Sequence, residues 1–207
     1  MMHSRLRPGM SWRVLAPILV VAMVALAAFP VPAGAAGEQL EFQGTYGGPG
    51  HAEMYASGLE IAPDGSVVVA DTGNHQIAKF AADGTPIWRV GVFGNGTDQF
   101  DHPRDVGVDS LGNVYVADTG NTRVVKLDPS GGWITSWKGP DVDRMGTPMG
   151  ITVTNDTVYL ADAGKRRIRV FTTSGTQIRS IAGNGSCALS LVRDADADAL
   201  GNVYVAN

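Results

Sequence analysis

The chain has 207 residues, of which 17% are charged and 27 are glycine, and its formal net charge is −4. Three of its sixteen basic residues lie in the first 36 positions, so the rest of the chain carries thirteen basic against twenty acidic side chains. This balance disfavours a nucleic-acid partner, which would require a basic face.

Residues 1–36 have the pattern of a signal peptide. Three arginines precede an uncharged apolar run from Val14 to Phe29, two prolines follow it, and Ala33–Ala35 offers small residues for cleavage near Ala35. A retained membrane anchor is the alternative, but about sixteen apolar residues are fewer than the roughly 20 that span a bilayer. We therefore expect a secreted or cell-surface protein with no membrane span in the mature chain.

Beyond residue 36 the sequence repeats. A strand-like segment ends at Asp71, Asp118, Asp162 and Asn207, which are separated by 47, 44 and 45 residues, a period typical of propellers or solenoids. In the second unit, turn signals divide the sequence into four short strands at residues 104–108, 113–117, 123–127 and 133–137. No window has a convincing helical period, so each unit is predicted to be one antiparallel sheet.

A sheet with two apolar faces must pack against copies of itself, which favours a β-propeller. We therefore predict an all-β fold of four-stranded antiparallel blades over residues 37–207, preceded by the signal helix. Full repeats cover about 56–100, 101–146 and 147–190, a partial repeat covers 191–207, and Leu40–Tyr46 is a lone outer strand. About four blades make an incomplete ring, so we expect the sequence to be a fragment of a longer protein.

The repeated unit resembles the NHL repeat of bacterial exported proteins, a family of β-propellers that have six blades when complete. The second unit carries the resemblance through Pro103–Asp109, Gly112–Asp118 and Asn121–Val124. The first unit departs by Gln76 where the family prefers arginine, and the third by Lys165 in place of asparagine. The resemblance implies the fold strongly, whereas this scaffold hosts unrelated activities.

The loop Asp-Thr-Gly-Asn recurs at the strand ends. Asp and Asn side chains there can hydrogen-bond to the turn backbone, and Gly73, Gly120 and Gly164 can adopt positive φ, so we predict a structural role. Arg123 and Arg167 are expected to pair with such an acid or with a loop carbonyl.

Three histidines, His51, His75 and His102, follow the first 36 residues and fall in loops of one predicted face, where they could meet. A zinc site needs three or four converging ligands, and loop histidines are common, so we predict no metal site. The sequence is also similar to the peptidyl-hydroxyglycine lyases, which hold zinc through histidines after each opening proline. None of the matching positions here is a zinc ligand: Ser57, Arg104, Met149 and Arg193.

Three acids, Asp194, Asp196 and Asp198, alternate with alanine, so a strand would place their carboxylates on one face near the propeller axis. Carboxylate oxygens suit calcium, which makes Asp194 and Asp196 the weak candidates for a calcium site. Turn and packing roles are the favoured interpretation, and no cofactor is otherwise predicted.

Variable linkers at 91–103, 139–148 and 183–192 share one predicted face with the hairpin loops. Variable loops on a rigid repeat form binding surfaces, and no catalytic residues are recognised. We therefore predict a non-catalytic scaffold for a protein, peptide or glycan. The alternative is a metal-dependent enzyme, lyase-like or lactonase-like. The candidate binding residues are Phe93, Asn95, His102, Arg104, Asp141 and Arg144.

Overall fold

The computed structural model describes residues 54–183 and 189–207. The signal segment, the strand predicted at Leu40–Tyr46, His51 and Cys187 lie outside these residues. The described part contains fourteen strands, in this order: β1 Ala56–Ile61, β2 Val67–Asp71, β3 Gln76–Phe80, β4 Pro86–Val90, β5 Pro103–Val108, β6 Val114–Asp118, β7 Arg123–Leu127, β8 Trp133–Trp137, β9 Pro148–Thr154, β10 Thr157–Asp162, β11 Arg167–Thr172, β12 Gln177–Ala182, β13 Asp194–Ala197 and β14 Val203–Ala206. Its helices are three 3-10 turns: Thr72–Asn74, Asp141–Asp143 and Ala163–Lys165.

The strands form three four-stranded antiparallel sheets, β1–β4, β5–β8 and β9–β12, and a pair, β13–β14. We call these the first, second, third and fourth blades. The second strands are continuous apolar runs, and every residue of β2 and β6 is buried. Neighbouring blades cover both faces of β6, which lies between the first and third blades. The fourth strands have more exposed residues and form the outer edge. No helix in the two described ranges is long and apolar enough to span a membrane.

Three of the four hydrophobic clusters in the described residues lie between two blades, and the fourth lies on one face of the first blade. Val68 and Ile77 of the first blade pack with Val106 of the second, and Tyr115 packs with Phe171 of the third in the next cluster. The first strands β1, β5, β9 and β13 contact one another in sequence, which places them around a common axis. The all-β prediction is therefore confirmed, and these sheets form part of a β-propeller.

The predicted reason for the loop glycines is wrong. Positive φ occurs after them, at His75 (56°), Thr122 (52°) and Arg166 (53°). The glycines are required for space, since a Cβ on Gly120 would lie 2.3 Å from the Asp101 carboxyl group. A Cβ on Gly73 would lie 2.6 Å from Tyr55 Cβ, which is also too close.

Candidate functional site

The acid at the end of the second strand in each of the first three blades accepts hydrogen bonds from the backbone of the segment that precedes its own blade. Asp118 Oδ1 accepts a hydrogen bond from Asp101 N (2.8 Å), and Asp162 Oδ1 accepts one from Gly146 N (3.0 Å). Both carboxylates are fully buried. Their partners lie about sixteen residues upstream, so these acids hold the linkers as well as their own turns.

Buried arginines complete this arrangement. Arg123 Nε donates to Asp118 Oδ2 (2.7 Å), and its other nitrogens donate to carbonyls of the linker before the second blade. In the third blade the corresponding arginine is Arg169, whose Nε lies 2.6 Å from Asp162 Oδ2. Arg167 lies opposite Asp162 in the strand register but donates to Asp143 (3.0 Å) and to the Lys165 carbonyl (3.4 Å), which is the loop-carbonyl alternative of the prediction. The Asp162 carboxylate is instead reached by Arg169, two residues further along the same strand.

The threonine of the repeated loop connects one blade to the next. Thr72 Oγ1 donates to the Pro103 carbonyl (2.6 Å), and Thr119 Oγ1 donates to the Pro148 carbonyl (2.7 Å). These prolines open the first strands of the second and third blades. The hairpin loops therefore lie on the same face as the starts of the axial strands, as the alternation of strand direction predicted.

An axial cavity of about 310 Å³ lies at this face, between the starts of the first strands. It brings together the four positions that follow the opening residues of the repeats, as well as their neighbours. Its key lining residues are Ser57, Arg104, Asp105, Met149, Arg193 and Asp194. Small and acidic residues alternate around it, because a Cβ on Gly58 or Gly150 would collide with the acid of the next blade.

Both signs of charge occur in the axial cavity. The exposed arginines Arg104 and Arg193 have no ion-pair partner within residues 54–183 and 189–207. Asp105 is partly buried, and burial raises its pKa to about 7, with a further increase from Asp194 and Glu60. The hydrogen bond from Ile151 N to Asp105 Oδ2 (2.7 Å) opposes this increase. Asp105 can therefore change its charge near neutral pH.

The three alternating acids do not act together. Asp198 lies in the turn after β13 and accepts hydrogen bonds from Leu200 N and Asn202 N (both 2.9 Å), as the turn interpretation expects. Asp194 and Asp196 are exposed on one face of β13, and Asp194 lines the axial cavity. Their role as calcium ligands stays a prediction.

The six candidate binding residues separate into smaller groups. Phe93 (66% exposed) and His102 lie at one place, where the His75 ring packs 4.9 Å from Phe93 and 4.4 Å from His102. Arg104 lines the axial cavity. Asp141 and Arg144 pair with each other (2.6 Å). The carbonyl of Asn95 accepts a hydrogen bond from Arg123.

Sequence reasoning missed Asp101 and Arg169. Asp101 Oδ1 lies 2.6 Å from His102 Nδ1 and 3.8 Å from His75 Nδ1, so the structure brings two of the three histidines together around a carboxylate. The adjacent pair Asp101-His102 in a linker was the available signal. Arg169 occupies the register of Val125 in the second blade, and a charge at an apolar position could have identified it.

Comparison with known proteins agrees with this architecture. The NHL repeat model matches residues 54–80 and 100–127, and no curated protein matches the chain. Virginiamycin B lyase from Staphylococcus aureus superposes with a TM-score of 0.59 at 20% identity, over 72% of this chain and 48% of the lyase. The RRP9 WD40 repeats give 0.57 at 12% identity (70% and 42%), and Kuenenia stuttgartiensis hydrazine synthase gives 0.55 at 19% (70% and 40%).

The chain spans about half the length of these solved structures or less. At such identities the similarity shows the fold alone. The repeated strand-end acids, the four-stranded blades and the matched repeats lead to one conclusion: the chain contains NHL repeats, which form blades of a β-propeller.

Proposed function

We propose that this chain is an exported, non-catalytic binding scaffold that holds a protein, peptide or glycan at the loop-covered face of its propeller. The observation that carries the proposal is the axial cavity, which opens where linkers and hairpin loops meet. Rigid blades hold these loops, so the surface is organised before the ligand arrives and loses little entropy on binding.

The chemistry of the axial cavity favours a ligand with an anionic group. Arg104 and Arg193 present exposed guanidinium groups, which match carboxylate oxygens in a planar, bidentate geometry. A peptide C-terminus, an acidic side chain or an acidic sugar supplies such a group. Asp105 and Asp194 add hydrogen-bond acceptors beside the arginines, and a protonated Asp105 is a donor.

Arrays of acidic glycans and of peptides with free C-termini test this proposal. We expect specific binding that falls at least tenfold in the double variant Arg104→Ala, Arg193→Ala. The matched control, Arg89→Ala with Arg179→Ala, removes the same charge from exposed positions on the outer strands β4 and β12 and should bind as the parent does. Absence of binding in the parent, or an equal loss in both variants, would contradict the proposal.

Export is proposed from the N-terminal pattern alone. Expression of the full chain in a bacterial host should release a product whose N-terminus follows Ala35. Retention of the apolar segment in the membrane fraction would instead support the anchor.

A metal-dependent enzyme, lyase-like or lactonase-like, is the second candidate. Asp105 favours it, because an acid with a pKa of about 7 inside a cavity can accept a proton at neutral pH. Incubation with a panel of lactones and with quinupristin, which is present in a structure of catalytically inactive virginiamycin B lyase, tests this activity by mass spectrometry. Turnover that disappears in Asp105→Asn would favour the enzyme, and no turnover would reject it for these substrates.

A further inference from the structure

We propose that His75, Asp101 and His102 bind a divalent transition-metal ion of the zinc class where the first and second blades meet. One nitrogen or carboxylate oxygen from each residue lies within 4.8 Å of the others. This site is separate from the axial cavity, and the binding role proposed above does not require it.

The separations suit a small metal ion. Two ligands of a tetrahedral zinc ion, with bonds of about 2.0–2.1 Å, lie roughly 3.4 Å apart. Asp101 Oδ1 is 2.6 Å from His102 Nδ1, with which it shares a hydrogen bond, and 3.8 Å from His75 Nδ1, so these two distances lie on either side of that value. Loss of the proton shared by His102 Nδ1 and Asp101, together with small side-chain rotations, would turn this cluster, whose ligand atoms lie within 4.8 Å of one another, into a zinc site.

The hydrogen bonding of His75 also fits. His75 Nδ1 accepts a hydrogen bond from the backbone N of His102 (3.1 Å), so this nitrogen carries a lone pair that points at the His102 backbone. A metal would replace that donor. His102 is exposed, so water can satisfy its freed N–H group at little cost.

The backbone of the cluster is held firmly. Asp101 N donates to Asp118 Oδ1 (2.8 Å), and Gly120 N donates to the Asp101 carbonyl (2.8 Å). His75 is held from the other blade and packs against Phe93. Supports of this kind orient metal ligands, and here they come from two blades, so a bound metal would connect them.

The ligand types select the metal. Two imidazoles and one carboxylate suit zinc, cobalt or nickel, whereas calcium and magnesium prefer sites made of oxygen. Three protein ligands leave a coordination position for water or for a bound molecule. With 59% of its side chain exposed, His102 lies on the accessible side of the cluster, near Phe93.

Calorimetric titration of the purified full chain, prepared without a polyhistidine tag, tests the site with zinc chloride. We expect one ion per chain, a higher melting temperature, and visible absorption from cobalt in the same site. Calcium chloride is the parallel titration for Asp194 and Asp196, and the histidine cluster should not bind calcium.

The test variants are His75→Asn, Asp101→Asn and His102→Asn. Asparagine tolerates the positive φ of both histidines (56° and 47°), so the backbone is preserved. Each variant should weaken zinc binding at least tenfold while melting like the metal-free parent. His51→Asn and Cys187→Ser control for other metal ligands and should leave binding intact. No zinc uptake by the parent would overturn the proposal. So would uptake that survives when His75→Asn, Asp101→Asn and His102→Asn are combined, or uptake lost only in Cys187→Ser.

Discussion

The second and third blades both pair a buried strand-end acid with an arginine, but the arginine comes from different positions in the two blades. Each buries a carboxylate at the end of its second strand and neutralises it with an arginine that also donates to linker carbonyls. In the second blade Arg123 starts the third strand, whereas in the third blade Arg169 lies two residues later. In both blades a guanidinium reaches the strand-end acid, and the sequence position of the arginine differs. The first blade has no arginine at either position, and there Asn74 donates to Asp71 instead.

The two blades differ again at the axis and at the loop. Asp105 in the second blade corresponds to Gly150 in the third, and Gly150 leaves room for Asp194 of the fourth blade. Thr119 donates across to the next blade, but Ala163 at the same place has no hydroxyl group. The hydrogen bond from Thr119 thus connects the second blade to the third. The third blade is connected to the fourth by other contacts, such as the hydrogen bond from Thr154 Oγ1 to the Ala197 carbonyl (3.0 Å).

Removing the buried arginine should have the largest effect. Arg169→Leu leaves Asp162 charged and buried, which we expect to lower the free energy of unfolding by about 3–5 kcal/mol in urea titrations. Arg167→Leu removes the register-equivalent arginine, which is partly exposed, and should cost less than about 1 kcal/mol. Similar losses in both variants would show that the pairing with Asp162 does not distinguish them.

The axial acid should make stability depend on pH. Its folded pKa of about 7 lies above the ordinary value of about 3.9, so the folded protein binds this proton more tightly than the unfolded chain does. Stability should therefore fall as pH rises from about 4 to about 7 and change little from this source at higher pH.

Asp105→Asn should remove this dependence, because the amide oxygen can still accept the hydrogen bond from Ile151 N. At pH 8 we expect the variant to be more stable than the parent by about 1–3 kcal/mol, and equal to it near pH 4. The exposed Asp98→Asn is the control for a general charge effect. An unchanged difference across this pH range would contradict the raised pKa.

The loop hydroxyl should contribute less. Thr119→Val removes the hydrogen bond to the Pro148 carbonyl and should cost about 1 kcal/mol, measured by chemical unfolding. Thr176→Val, at an exposed outer turn, serves as the control and should change stability by less than about 0.5 kcal/mol. If Ala163→Thr stabilises the protein, the third blade can also use this connection, and a neutral result would show that its replacement contacts suffice.

The linker ion pair should have the smallest effect. Asp141 and Arg144 are 89% and 62% exposed, so water screens their attraction. The double variant Asp141→Asn, Arg144→Gln should stay within about 0.5 kcal/mol of the parent in thermal unfolding. A larger loss would mean that the linker geometry depends on this pair.

Local patterns predicted much of the fold. The third and fourth strands of the second blade match their predicted bounds, the first begins one residue earlier, and the second is shifted by one residue. These elements follow from short-range turn chemistry and from burial on both faces. The site was predicted less well, because Asp101 and His75 are 26 residues apart in sequence and meet only when two blades pack.

The sequence by itself determined the repeating strands, the strand-end acids and the NHL repeats, because these depend on neighbouring residues and a fixed period. The tertiary structure decided which arginine reaches Asp162, why Gly120 has no side chain, and how His75 meets Asp101 and His102. The physical reason is that the blades pack closely, so the space left between them decides which side chains from distant segments can make contact. The order of residues along the chain does not specify that space.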